Sequence, residues 1–168
     1  MSFVDLQRRT DQHSAWGRRY YAKGGFVRHV DPTLVDRITD ALAEAPTDHS
    51  EVYVPQLGGA VADVDEAATA YSGREAGYYW VVEPIWDDPD DDARCLAWGR
   101  RHAGRLAALS MEANYVNEQA DTDGDFPEQA YGSAKYERLR EIKARYDGSN
   151  LFRLNPNIEP ARARAPRS

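Results

Sequence analysis

Between Tyr115 and Glu118 the chain sets a phenol, a carboxamide and a carboxylate close together, in the run Y-V-N-E. An ordinary glutamate ionises near 4.3 and a tyrosine near 10, so Glu118 is a side chain able to accept a proton at neutral pH. The Asn117 amide offers both a donor and an acceptor, and Tyr115 adds a hydroxyl on an apolar ring. The same residues also suit a strand end whose amide is satisfied locally and whose acid faces water. A second group is aromatic. Period-two alternation through Tyr78-Tyr79-Trp80-Val81-Val82 puts Tyr78, Trp80 and Val82 on one face and Tyr79 and Val81 on the other. Such a wall suits a sugar ring or a polycyclic molecule, or it packs under a helix. Tyr53 and Gln56 precede Gly58-Gly59, and only one of the two can face a cleft from a regular strand.

The elements that must hold these groups can be read from breakers and periodicity. Arg18 to Val30 reads as extended, with Gly24-Gly25 marking a bend, a bulge or a close backbone approach. Asp31-Pro32 is a helix start, an N-cap followed by proline, and Leu34, Val35, Ile38 and Leu42 mark one face to about Ala45. Strands are expected over Glu51 to Gln56 and Ala60 to Val64, and most clearly over Gly77 to Trp86. Asp88-Pro89 opens a long helix from Asp90 to about Leu109. Tyr115 to Asn117 reads as a short strand or extended entry. Ser133 begins a helix with Leu139, Ile142 and Tyr146 inward, ended by Asp147-Gly148. The short link at 57–60 implies antiparallel pairing, so the expected fold is α+β: an antiparallel sheet with helices packed on one face and a C-terminal helical segment.

With 168 residues the chain suits one globular domain. A net charge of −7 opposes binding to nucleic acid phosphates. No run approaches the roughly 18 apolar residues a membrane helix needs. The N-terminus lacks an apolar signal core, so a cytoplasmic location is expected. Asp87, Asp88, Asp90, Asp91 and Asp92 read as a solvated loop and helix N-terminus rather than a calcium loop. Cys95, the single cysteine, reads as a small buried apolar residue. His13, His29, His49 and His102 lack metal-ligand spacing and read as surface or satisfied histidines, so no metal is expected.

Several motifs occur in a meaningful order: G-R-R-Y-Y-A-K-G-G-F at 17–26, L-G-G-A-V at 57–61, T-A-Y at 69–71 with Arg74, W-D-D-P at 86–89, A-W at 97–98, and Y-V-N-E-Q leading to N-L-F-R-L-N-P-N-I-E-P. That order resembles the C-terminal part of the berberine-bridge-enzyme-like FAD-linked oxidases, from about residue 15 to 160. The resemblance implies an N-terminal extension at 1–14, a partial substrate domain at 15–110, a berberine-like segment at 111–160 and a disordered tail at 161–168. It also implies oxidation of a hydroxyl-bearing small molecule, with hydride passing to flavin while a base removes a proton. Tyr115 and Asn117 would line the flavin edge, and Trp80, Tyr78 and Tyr53 would contact substrate. Many relatives carry a base tyrosine at the end of Y-x-N-Y; here Glu118 stands in that place and becomes the candidate base. Asn150, Asn155 and Asn157 match the terminal signature, with Leu151, Phe152 and Leu154 expected to anchor it. Nothing in the chain matches the family's FAD-binding domain or a phosphate-cradling glycine loop. FAD is therefore implied by kinship but not expected to be held by this chain alone. The expected partners are a separate FAD-binding domain or a second copy on the flavin-facing surface. A non-catalytic remnant or small-molecule binding module of the same fold is the alternative.

Overall fold

Asp31 starts its helix as its sequence predicts: its side chain accepts from the Leu34 backbone N–H at 2.8 Å, and Pro32 fills the first turn. The computed structural model describes residues 1–11, 15–122, 124–154 and 156–162. In chain order the elements are α1 (Phe3–Gln7), β1 (Arg19–Tyr20), β2 (Lys23–Val27), α2 (Pro32–Ala43), β3 (Glu51–Tyr53), β4 (Tyr78–Glu83), β5 (Ile85–Trp86), α3 (Asp92–Ala107), α4 (Phe126–Tyr131) and α5 (Ser133–Tyr146). The main sheet has the order β2-β4-β3, with both outer strands antiparallel to β4, and β1 pairs with β5 in a separate two-stranded sheet. The fold is thus α+β with antiparallel sheets.

Alternation along β4 sorts the core into two layers. Trp80 and Val82 point toward α2 and α3, where they meet Leu34, Ala41, Trp98 and Leu106. Trp80 is 1% exposed and its indole N–H donates to Ser110 Oγ at 2.8 Å. Trp98 likewise donates to the Ala41 carbonyl at 3.0 Å, tying α3 to α2. Tyr79 and Val81 point the other way, into a layer with Phe26, Ala76, Tyr53, Tyr71 and Tyr115. Gly24 and Gly25 lie in regular β2, where the pair serves close approach. A Cβ on Gly24 would stand 2.4 Å from the Tyr79 hydroxyl, and one on Gly25 2.7 Å from Ser110 Oγ.

Several sequence expectations need correction. Ala60 to Val64 is not a strand: Gly58 and Gly59 take φ of 121° and 55°, and the chain turns into a short 3-10 segment, Gly59–Val61, within a long loop. Pro84 splits the expected 77–86 strand into β4 and β5. The helix expected from Asp90 begins with a 3-10 turn, Pro89–Asp91, capped by Asp88. Ile142 and Tyr146 are 45% and 75% exposed rather than inward, and no residue of α5 is buried. Leu151, Phe152 and Leu154 do not anchor the last segment, being 67%, 77% and 97% exposed. Helix α4 has no counterpart in the sequence reading. Within the 1–14 extension the chain makes the short helix α1, with Ser2 and Asp5 capping each other's backbone.

Among the polar candidates, Asp92 is held by Arg19 and by the Trp86 indole. Asp91 pairs with Arg94, and Asp87 lies 3.5 Å from Arg18. Cys95 is buried. His102 departs from expectation: it is buried, and its Nδ1 has no hydrogen-bond partner. Among the described residues no helix is long and apolar enough to cross a membrane. His13, Asn155 and residues 163–168 of the expected tail lie outside the described residues.

Candidate functional site

β2 is an edge strand, and its outer carbonyls are all occupied by the segment that follows α3. Met111 N–H donates to Phe26 O at 2.9 Å, and Ala120 N–H donates to Ala22 O at 2.7 Å. Between these two points the chain lifts off the strand. Its backbone cannot reach Gly24 O, and two side-chain amides do so instead: Asn114 Nδ2 at 3.0 Å and Gln119 Nε2 at 2.9 Å. Residues 115–118 form an arch between these feet, finished by the 3-10 turn Val116–Glu118. Of the short strand or extended entry expected over 115–117, Tyr115 is extended and the rest turns into the 3-10 segment, so no strand forms.

The arch leans over the layer of Tyr79 and Val81. Glu118 comes within 3.4 Å of the Tyr53 hydroxyl, which points to it from β3. Tyr115 stacks edge-on to Tyr79 at 6.1 Å between ring centroids and lies 6.2 Å from Tyr71. Exposed Asn117 donates to the Tyr115 hydroxyl at 2.9 Å. Tyr53, Tyr115, Asn117 and Glu118 thus come together. Tyr78 and Trp80 do not, because the pleat sends them to the helix-covered face, where Trp80 fills the core. The alternation read from sequence was right, but the face carrying the site is that of Tyr79. Gln56 bridges to Tyr78 at the end of the strand and stays outside the group.

Burial comes first, followed by the charges of Glu118, Glu83 and Glu51, in holding the Tyr53 phenol above the usual tyrosine range. Tyr53 is accordingly a donor at neutral pH, and the carboxylate of Glu118 is the acceptor of the pair. Tyr79 is raised too, chiefly by burial, against the hydrogen bond from Gln119. Asn114, Gln119 and Tyr79 escaped the sequence reading. The signal of the two amides was faint, one on each side of the four-residue run Y-V-N-E. Behind the arch, a groove of about 390 Å³ runs between β2, α3 and α4, with both amide feet in its wall.

The donor set suits the polar rim of a flat heteroaromatic ring. Asn117 brings an amide and Tyr115 a hydroxyl, beside an aromatic layer. The starts of α2 and α3 do not suit a pyrophosphate. Asp31 already occupies the α2 N-terminus, and Asp88, Asp90, Asp91 and Asp92 crowd that of α3, so carboxylates stand where a phosphate would sit. Among the described residues no acidic, histidine or cysteine cluster is arranged to hold a metal. Asn150 and Asn157, from the terminal signature, each keep a buried side-chain oxygen without a hydrogen-bond partner.

Residues 114–159 match the family model described as "Berberine and berberine like". An FAD-linked oxidoreductase of Dictyostelium discoideum is 26% identical over 160 residues, covering 94% of this chain and 34% of that protein. The FAD-linked oxidoreductase YgaK of Bacillus subtilis (strain 168) is 30% identical over 142 residues, covering 83% and 31%. The chain therefore spans about a third of the length of the curated relatives it matches. Among solved structures, an aclacinomycin oxidoreductase superposes with a TM-score of 0.72 at 25% identity, over 85% of this chain and 33% of that one. A glycopeptide hexose oxidase shares the fold with a TM-score of 0.75 at 23% identity, over 86% and 33%.

Proposed function

This chain belongs with the berberine-bridge-enzyme-like FAD-linked oxidoreductases, and on that premise we propose that it forms the substrate side of a flavin-dependent oxidation site. The observation that carries the reading is the arch, which brings an acceptor carboxylate to a donor phenol on the sheet face that the helices leave uncovered. FAD, when bound, supplies the hydride acceptor. The chain's own groups would handle the proton and the position of the substrate. Glu118 takes the proton from the substrate hydroxyl as the carbon beneath it gives up its hydride, leaving a carbonyl. Tyr53 donates a hydrogen bond that keeps the carboxylate and the substrate oxygen in register. Tyr71 and Tyr115 wall the site, and Asn117 with the Tyr115 hydroxyl would meet the rim of the flavin ring.

The nucleotide end of FAD would rest on a separate FAD-binding domain. The exposed apolar side chains of Tyr146, Leu151, Phe152 and Leu154 offer that domain a surface to cover. The substrate would be a small hydroxyl-bearing molecule, of the kind suggested by relatives named for aclacinomycin and for a hexose. The test mixes the purified chain with an FAD-loaded nucleotide-binding domain of a relative such as YgaK and follows the visible flavin band while sugars and polycyclic alcohols are added. Substrate-dependent bleaching that requires this chain supports the reading. A flavin spectrum indifferent to the chain, with every substrate tried, overturns it.

A further inference from the structure

The arch is fastened by unusual means: both of its feet stand on the single carbonyl of Gly24. On the Asn114 side, Nδ2 donates to that carbonyl while Oδ1 accepts from the Tyr115 N–H at 2.8 Å. On the Gln119 side, Nε2 lies 2.9 Å from Gly24 O, 2.8 Å from Asn114 Oδ1 and 3.0 Å from the Tyr79 hydroxyl. One amide therefore touches the strand, the opposite foot and the floor of the arch. Glu118 is the residue just before it. Its carboxylate reaches Tyr53 from a stretch of chain that the Gln119 side chain and the Ala120 N–H both fasten to the β2 edge. An amide donates two protons and has no charge, so it can satisfy Gly24 O and Asn114 Oδ1 together, whereas a carboxylate would repel both.

We propose that Gln119 is a positioning residue that clamps the Tyr115–Glu118 arch and thereby sets the approach of Glu118 to Tyr53. The inference rests on reading the arch as the working part of the site, but its test needs neither flavin nor turnover. Position 53 is replaced by 3,5-difluorotyrosine, whose phenol ionises while the protein is still folded, and fluorine NMR follows the midpoint in the isolated chain. Removing the nearby negative charge in Glu118→Gln should lower that midpoint by about one pH unit. Gln119→Met, which keeps the length and loses the hydrogen bonds, should reproduce at least half of that fall with the circular dichroism of the sheet unchanged. Gln119→Ala should do the same, which keeps the measurement open if one variant folds poorly. A midpoint that moves in Glu118→Gln but not in either Gln119 variant overturns the clamp and leaves the site standing. A midpoint unmoved in Glu118→Gln overturns the Tyr53–Glu118 contact, and the clamp with it.

Discussion

At the scale of single residues, the division of labour between Glu118 and Tyr53 follows from which one holds its proton. Burial and three nearby carboxylates keep Tyr53 protonated, so in the proposed site substituting it would remove an orienting hydrogen bond, while substituting Glu118 would remove the proposed proton acceptor. In the reconstituted site Glu118→Gln should lower kcat about 100-fold or more with KM little changed, and Tyr53→Phe about tenfold, by steady-state kinetics. His102 gives a pH prediction. Burial, and then the charge of Arg101, lower its proton affinity against the pull of Glu44. The unfolded chain therefore binds the proton more readily, and this contribution to stability is complete above the ordinary histidine range near 6.5 and declines as pH falls through it. Urea midpoints between pH 7.5 and 5.5 should drop in the parent and flatten in His102→Gln. A four-residue motif singled out Glu118 as a candidate in the sequence, and the structure brings it to Tyr53. Gln119 and His102 were not visible, because an amide's or an imidazole's use depends on partners 95 and 58 residues away.

Among elements, β4 shows what a pattern can and cannot say. Its run of aromatic and branched residues made the strand plain, and alternation separated Trp80 from Tyr79. Which set faces helices is decided by α2 and α3, whose own apolar faces meet Trp80, and alternation carries no record of that. Trp80→Phe should accordingly cost stability in urea denaturation and leave substrate affinity unchanged. Gly58-Gly59 misled for a related reason. Glycine pairs permit either a close strand or a positive-φ turn, and only the backbone distinguishes them. Gly24 is the strand case. Gly24→Ala would drive a methyl group into the Tyr79 hydroxyl and the Trp80 carbonyl, 2.4 and 2.7 Å away. That crowding should destabilise the domain by about 1–3 kcal/mol, measurable by chemical denaturation, and should disturb the feet of the arch at the same time.

Over the whole molecule, charge is divided unevenly. Residues 1–132 hold 24 Asp and Glu against 12 Lys and Arg, while residues 133–168 hold 4 against 9. The basic part includes α5 and the exposed Leu151, Phe152 and Leu154. Helical spacing identified an apolar face on α5 but could not say what covers it, and among the described residues Ile142 and Tyr146 of that face stay exposed. An exposed patch of that kind favours association. Sedimentation of the chain alone should show concentration-dependent self-association that falls in the double variant Phe152→Asp, Leu154→Asp and when the FAD-binding domain is added. The fastening at Gly24 has another outcome for the molecule. The anchoring amides lie outside the span they secure, so Tyr115 to Glu118 behave as an exchangeable tip in a fixed holder. Libraries that vary those positions, with Asn114 and Gln119 retained, should yield folded proteins of altered selectivity far more often than libraries that touch the holder.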